Sequence, residues 1–267
     1  MIGGPVSYAA VTAQRLGWDV AILTAAGPDF EPGRDLPGAR VVSRASPSTT
    51  SFRNIYSGNG SRRQLVSSRA DEIDLSLLPE ALREPEALLL GPVVGEIPPA
   101  SAEAFGAGFV GAEGQGWLRE IDTNGQVSAS EWREPARDLA GVHALVVSPG
   151  DLPPGGRPAQ DYLGFVPMVA FTRGRQGLDL MTRDATHPVP SLPRDEVDPT
   201  GAGDVFTAAF LIRYSETQDA PKAAAFAACA ASSSVEGWGT SSIGDRTEVE
   251  RRLDLRERLI EEGAIDG

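Results

Sequence analysis

Asp198-Pro199-Thr200-Gly201-Ala202-Gly203-Asp204 places three small residues at the head of an apolar-periodic segment and sets a carboxylate in its first turn. After it, Val205, Ala208, Ala209 and Ile212 recur at spacings of three and four, which predicts an amphipathic helix over about residues 202–214 packed on a core. The small-residue run is the N-terminus of that helix. Gly201 and Gly203 can take backbone angles closed to other residues, and their N–H groups can converge on a phosphate oxygen. The helix dipole favours the same negative charge. Asp204 then has two readings: an acidic residue that complements the dipole, or a base that takes a hydroxyl proton while a phosphoryl group sits on the turn.

Outward from this stretch, short apolar runs alternate with helical patterns, as in βαβ units around a largely parallel sheet. Strands are expected over residues 20–23, 87–90, 109–110, 144–147, 168–171 and 178–181, and helices over residues 6–16, 220–235 and 247–262. Residues 49–68 differ. There Phe52, Asn54 and Tyr56 alternate with Arg53, Ile55 and Ser57, and Gly58-Asn59-Gly60 supplies a tight turn before residues 62–67. That pattern is a β-hairpin. The Pro/Gly-rich residues 149–158 read as a loop, and no repeat or low-complexity tract interrupts the chain.

A chain of 267 residues with 41% hydrophobic content can bury a large core, so one α/β domain over residues 1–267 is expected, with the hairpin region 45–68 inserted in it. The lone Cys229 cannot form an internal disulfide. It lies in an Ala-rich helical run, which fits a small buried residue and a reducing, cytoplasmic location. No stretch approaches the roughly 20 apolar residues of a membrane span. A net charge of −13 argues against a nucleic-acid surface, which needs clustered Lys and Arg.

Several other motifs carry little. Gly106-Ala107-Gly108-Phe109-Val110-Gly111 satisfies GxGxxG, yet it follows a helical pattern at residues 100–105 and leads into a strand, the reverse of the order dinucleotide binding requires. There is no GxxxxGK[ST] string, so this is not a P-loop chain. The two histidines, His143 and His187, give Ser-His or Zn-His chemistry little to work with. Asn59-Gly60-Ser61 matches a glycosylation sequon, but Asn-Gly there is the hairpin turn.

The seven residues 198–204 resemble the C-terminal signature of the ribokinase-like carbohydrate kinases, also called the phosphofructokinase-B family. The resemblance extends to Gly3-Gly4 before the first helix, to Phe171-Thr172-Arg173-Gly174-Arg175-Gln176-Gly177, and to Ser234-Val235-Glu236-Gly237-Trp238-Gly239, in the family's order. It implies a three-layer αβα sandwich around a mostly parallel sheet, with the hairpin as a small β lid over the acceptor site. It further implies an ATP-dependent, Mg²⁺-requiring kinase that phosphorylates a hydroxyl of a sugar or cyclitol. A non-catalytic nucleotide-binding protein of the same fold and a nucleoside kinase are the alternatives. In the resemblance, Asp204 is the catalytic base and Gly201, Ala202 and Gly203 are the anion hole.

Thr172, Gly174 and Gly177 would lie at the nucleotide phosphates and Gly237 and Gly239 beside adenine, while strand-exit and loop turns explain the same residues without a ligand. Gly3, Gly4, Tyr8 and Arg62 would meet the polyol substrate. Asp151, in Ser148-Pro149-Gly150-Asp151 where the family has Asn-x-x-Glu, would orient the water shell of Mg²⁺. Asp198 marks the region of a monovalent cation. Lids in this family commonly pair between subunits, which implies a homodimer. Tyr8, Thr49-Thr50-Ser51-Phe52 and Arg62-Arg63-Gln64 look more like plant-type inositol kinases than ribokinases. Family members place a strand before the paired glycines, and here Gly3 is almost the first residue. The first strand is therefore expected at residues 20–23, with the slot of the family's first strand open or filled by another segment.

Overall fold

Residues 144–147 are buried at every position, which is what a strand covered on both faces of a parallel sheet requires. Ala144 and Val146 enter one core cluster and Leu145 and Val147 enter another, because successive side chains on a strand point to opposite faces. The computed structural model describes residues 3–56 and 62–265, with Tyr56 and Arg62 described by their backbone alone.

In chain order the elements are α1 (Pro5–Arg15), β1 (Ala21–Ala26), α2 (Pro32–Asp35), β2 (Arg40–Ala45), β3 (Ser51–Tyr56), β4 (Arg62–Ser68), β5 (Ala87–Leu90), β6 (Phe109–Glu113), β7 (Arg119–Ile121), β8 (Val127–Ala129), α3 (Pro135–Asp138), β9 (Ala144–Val147), β10 (Met168–Thr172), β11 (Leu178–Thr182), β12 (Thr186–Val189), α4 (Ala202–Thr217), α5 (Ala220–Ser234) and α6 (Arg246–Glu261). The main sheet has the order β12-β11-β10-β9-β6-β5. Its β5, β6, β9 and β10 run parallel, and β11 and β12 are added antiparallel. This is an α/β sandwich. Its two faces are covered unequally: α1, α4, α5 and α6 pack with one cluster, whereas the other is closed by short 3₁₀ turns and α3 around Trp132, Leu139 and Tyr162.

β1 and β2 form a separate parallel pair, Ala21 opposite Arg40 through Ala26 opposite Ala45, and among the described residues neither joins the six-stranded sheet. The helix α1 spans the two pieces. Its Pro5 lies against Gly91 just past β5, and its Ala10 packs with Ile22 of β1. The first strand thus begins one residue later than residues 20–23 and runs three further.

The helix α4 corrects one expectation. It is not amphipathic: every residue from Asp204 to Ile212 is buried, because it lies between the sheet and α5. Gly111 makes that close approach to the sheet, since a Cβ there would sit 2.8 Å from Leu211 Cδ2. The third glycine of the GxGxxG string therefore serves helix-on-strand packing. The helical pattern at residues 100–105 becomes a short 3₁₀ turn, Ser101–Ala104. Both histidines sit in the sheet region, where His143 Nδ1 accepts a hydrogen bond from Val110 N at 3.0 Å and His187 pairs with Leu180. Cys229 is fully buried in α5, and burial pushes its thiol up to about 12, so it stays a thiol at neutral pH.

Two elements escape the apolar pattern. The parallel strand β2 has no fully buried residue, and β7 and β8 are three residues each, too short to show a period. Their turn carries Asn124-Gly125, with Asp122 Oδ1 accepting from Asn124 N and Gln126 N at 2.9 and 2.8 Å. The expected hairpin is present as β3 and β4, Phe52 opposite Val66 and Asn54 opposite Gln64; its turn, residues 57–61, lies outside the described residues. Val66 N donates to Gly125 O at 2.8 Å, so this hairpin is docked on the β7–β8 turn.

Candidate active site

Glu113 ends β6, Ser148 follows β9 and Thr172 ends β10. Carboxyl ends of parallel strands are where open α/β sheets bind ligands, and the N-terminus of α4 meets them there. Gly201 caps α4 with φ of 85°, a left-handed conformation in which a side chain is disfavoured. Space forbids one as well. A Cβ at Gly201 would overlap the Tyr8 ring, and Tyr8 is 2% exposed in the core beneath the turn. Gly203 differs from the sequence-based expectation, because it has helical geometry and open space where a Cβ would go. What it offers is a clear approach to the turn rather than an unusual backbone angle.

Asp204 lies in the first turn of α4, 9% exposed. Gln115 Nε2 lies 3.5 Å from Asp204 Oδ1 and 3.2 Å from Glu113 Oε2. Glu113 is 4% exposed, and its Oε1 is buried with no N–H or O–H donor to accept from. Two carboxyl groups in contact must share a proton. Burial, then the charge of Asp204, pushes Glu113 well above the usual carboxylate range, and its proton is given in a hydrogen bond to Asp204. Burial also raises Asp204 to about 6, opposed by that hydrogen bond and by the Arg119 guanidinium, with the negative charge of Asp151 adding to the rise. At neutral pH, then, Glu113 holds the proton and Asp204 is ionised. Sequence patterning passed over Glu113. The available signal was a carboxylate terminating a fully buried strand, Phe109-Val110-Gly111-Ala112-Glu113.

Arg119 ties this pair to the hairpin. It donates to Val93 O at 2.9 Å, to Gln115 Oε1 at 2.8 Å and to Gln64 Oε1 at 3.4 Å, and its guanidinium lies 5.4 Å from the centre of the Phe52 ring. Gln64 in turn donates to Asn54 Oδ1 across the hairpin at 2.9 Å. A continuous polar chain thus runs from β3 and β4 to Asp204.

On the other side of the glycine turn is a cavity of about 160 Å³, lined among others by Thr172, Gly174, Gly177, Arg194, Ala202 and Gly203. Three of the five residues expected at a nucleotide thus line one cavity with Ala202 and Gly203, two of the three residues expected to form the anion hole. Gly237 and Gly239 are not among its lining residues. They belong to a loop folded over the end of α5, where Ser242 Oγ donates to Ser234 O at 2.7 Å and Gly244 N to Ser233 Oγ at 2.9 Å. Of the acceptor candidates, Gly3 and Gly4 precede α1, Tyr8 is buried, and the Arg62 side chain lies outside the described residues.

Asp151 Oδ2 accepts from Ser148 N and Oγ at 2.8 and 2.7 Å, so the loop after β9 presents one oriented carboxylate toward Asp204. Mg²⁺ needs no more than one or two carboxylates when phosphates and water complete its octahedron. The residues present fit that requirement, and the described residues hold no cluster of three or more His, Cys, Asp or Glu. Asp198 is spent on local structure: it accepts from Thr200 N at 3.0 Å, and its other oxygen lies 3.5 Å from Gly239 N.

Residues 161–246 match the model of the pfkB family carbohydrate kinases, and that segment holds the cavity, the glycine turn and Asp204. Over nearly the whole chain, the fold superposes on a pyrophosphate-dependent kinase in the ribokinase family, solved with a pyrophosphate analogue and myo-inositol, with a TM-score of 0.75 and 25% identity, covering 94% of this chain and 91% of that one. Residues 161–246 thus carry a pfkB-type carbohydrate kinase segment, and the chain as a whole has the ribokinase-like fold. Curated relatives of this ribokinase-like chain include a ribokinase of Bacillus subtilis (strain 168), 41% identical over 84 residues, 31% of this chain and 29% of the relative. A nucleoside kinase of Methanothermobacter thermautotrophicus is 36% identical over 87 residues, 32% of this chain and 28% of the relative. The matched segments thus span less than a third of those relatives. No helix among the described residues is long and apolar enough to cross a membrane.

Proposed function

We propose that this chain transfers a terminal phosphoryl group from a polyphosphate donor to a hydroxyl of a small polyol, a sugar or a cyclitol. The observation that carries the reading is Asp204: a buried carboxylate raised to about 6, held at the head of α4 between the phosphate-sized cavity and the polar chain from the hairpin. A base with that pKa is ionised at neutral pH yet accepts a proton readily. In the reaction, Asp204 takes the hydroxyl proton, and the backbone N–H groups of Gly201, Ala202 and Gly203 meet the charge developing on the phosphoryl oxygens. Preorganised donors of this kind contribute on the order of 3 kcal/mol each to lowering a barrier. Asp151 would be the residue to hold Mg²⁺ beside the donor, and the ion would supply charge neutralisation at the phosphates. ATP is the donor that the family resemblance implies, and the pyrophosphate-dependent neighbour marks pyrophosphate as the other.

The hairpin β3–β4 is assigned as a lid on the acceptor, since its Gln64 and Phe52 both meet Arg119. A cyclitol acceptor is supported by the myo-inositol-bound neighbour, and a nucleoside acceptor is the second reading, supported by the nucleoside kinase relative. The test is formation of a phosphomonoester from a panel of inositols, pentoses, hexoses and nucleosides with Mg²⁺ and ATP or pyrophosphate. Turnover that disappears in Asp204→Asn is the expected result. Absence of product from every pairing would overturn the assignment.

A further inference from the structure

The loop after β5, Gly91-Pro92-Val93-Val94-Gly95-Glu96, leaves the sheet beside the buried carboxyl pair, because Leu90 of β5 pairs with Ala112 of β6 and Glu113 follows it. Its last residue turns back on it. Glu96 is 9% exposed, and its Oε1 accepts from Val93 N at 2.7 Å and its Oε2 from Val94 N at 2.6 Å. Gly95 makes the return possible with φ of 71°, in the left-handed region. Two converging N–H donors call for two acceptor oxygens, which a carboxylate has and an amide lacks.

The consequence lies on the other side of Val93. Its N–H is given to Glu96, and its carbonyl accepts from Arg119 Nη1 at 2.9 Å. Arg119 also donates to Gln115 Oε1 at 2.8 Å, and Gln115 Nε2 reaches Glu113 and Asp204. A second contact fixes the same spacing, since a Cβ at Gly116 would overlap Pro92; the turn that carries Gln115 therefore packs directly on this loop. The loop is fastened to the hairpin as well. Past the end of β4, Ile73 N donates to Glu96 O at 2.9 Å and Arg69 Nη2 donates to Gly95 O at 3.2 Å.

Resting on the reading of this chain as a kinase, we propose that Glu96 is a positioning residue for phosphoryl transfer: by folding the loop after β5 it aims the Val93 carbonyl at Arg119 and so keeps that guanidinium, and Gln115 with it, beside Asp204. The groups that act on Asp204 are Glu113 from the end of β6, Gln115 from the turn after it, Arg119 from β7 and Asp151 from the loop after β9. Arg119 is the cation among them. Its charge and the Gln115 hydrogen bond both hold Asp204 down against burial, so loosening the loop raises Asp204.

The experiment follows the Asp204 carboxyl itself, by NMR titration of the full chain labelled with carboxyl-¹³C aspartate, with Asp204→Asn to assign the resonance. The parent midpoint should lie near 6. Glu96→Gln keeps the volume but sets an amide N–H against a backbone N–H, and should move the midpoint upward by about half to one pH unit. Arg119→Gln should move it at least as far, and the double variant no further than Arg119→Gln alone. Glu96→Asp keeps both oxygens on a shorter stem, and its midpoint should fall between those of the parent and Glu96→Gln. A Glu96 that only braces the loop would lower the melting temperature and leave the midpoint of either folded variant where it was, or would add its effect to that of Arg119→Gln; each of these results overturns the proposal. With Mg²⁺, ATP or pyrophosphate and the acceptor panel, the acid limb of kcat should move with the midpoint while the donor KM stays unchanged. A midpoint that moves as expected in a chain that turns over no pairing leaves the link from Glu96 to Asp204 standing and overturns the kinase reading instead.

Discussion

The proposed donor and acceptor sides of the cleft are assembled in opposite ways. On the donor side, seven consecutive residues supply the glycine turn, the N-terminus of α4 and Asp204. On the acceptor side, Gln115 reaches the same Asp204 from 89 positions away, and the hairpin that contacts Arg119 comes from still earlier in the chain. Contiguity has a physical consequence. A helix cap and its first turn are specified by local backbone preferences, whereas a carboxyl pair such as Glu113 and Asp204 exists only once α4 is seated on β6. The donor side should therefore respond to substitution mainly through its own backbone, and the acceptor side through its partners.

The largest expected effect removes the residue that both sides share. Asp204→Asn should lower kcat by about 10² to 10⁴ while circular dichroism stays unchanged. Because Asp204 is raised in the folded protein, its ionisation there is costly: the cost is absent below the ordinary carboxylate pKa of about 4 and is complete above about 6. The variant should therefore melt higher than the parent at pH 7 to 8, and that gain should shrink as the pH falls toward 4. A parent that is the more stable of the two at pH 8 would show that Asp204 is not buried as described.

Next come the two glycines of the turn, which separate backbone need from ligand access. Gly201→Ala forces a side chain into a left-handed position and onto the Tyr8 ring, so it should cost roughly 2 to 4 kcal/mol and several degrees in Tm. Gly203→Ala, with open space around its Cβ, should leave the Tm equal or slightly higher and raise the donor KM. Equal damage to stability from both would mean that Gly203 is also structural.

A more modest effect is expected at Glu113. Its hydrogen bond holds Asp204 below where burial alone would put it, so Glu113→Ala should move the acid limb of the kcat profile upward from about pH 6. Glu113→Gln keeps a donor, and its limb should stay close to the parent's. Identical profiles for all three proteins would uncouple the pair. The smallest effect belongs to the hairpin contact. Phe52→Ala removes the aromatic face under Arg119 and should raise the acceptor KM roughly three- to tenfold with the donor KM unchanged. A change confined to the donor KM would place the hairpin on the wrong side of the cleft.

These contrasts track what could be read before any fold was known. The apolar runs at residues 87–90 and 144–147 match β5 and β9 at both ends: β9 is central and buried on both faces, and β5, at the edge of the sheet, is apolar at all four positions. The exposed β2 and the three-residue β7 and β8 offered no such run, although the Asn124-Gly125 turn between the last two was a usable signal. The resemblance pointed to Thr172, Gly174 and Gly177, which line the cavity, and also to Gly237 and Gly239, which are not among its lining residues. Tyr8, expected at the acceptor, became the packing beneath Gly201.

By itself, then, the order of residues determined the glycine turn, the helix it opens, the carboxylate in its first turn and the alternation of strands and helices around it. Each of these depends on neighbours within a few positions. Only the tertiary structure decided that Glu113 shares a proton with Asp204, that Arg119 links the hairpin to both, that β1 and β2 stand apart from the main sheet, and that Thr172, Gly174 and Gly177 line one cavity with Ala202 and Gly203. Those features depend on burial and on distances between side chains far apart in the chain, and a sequence pattern holds neither.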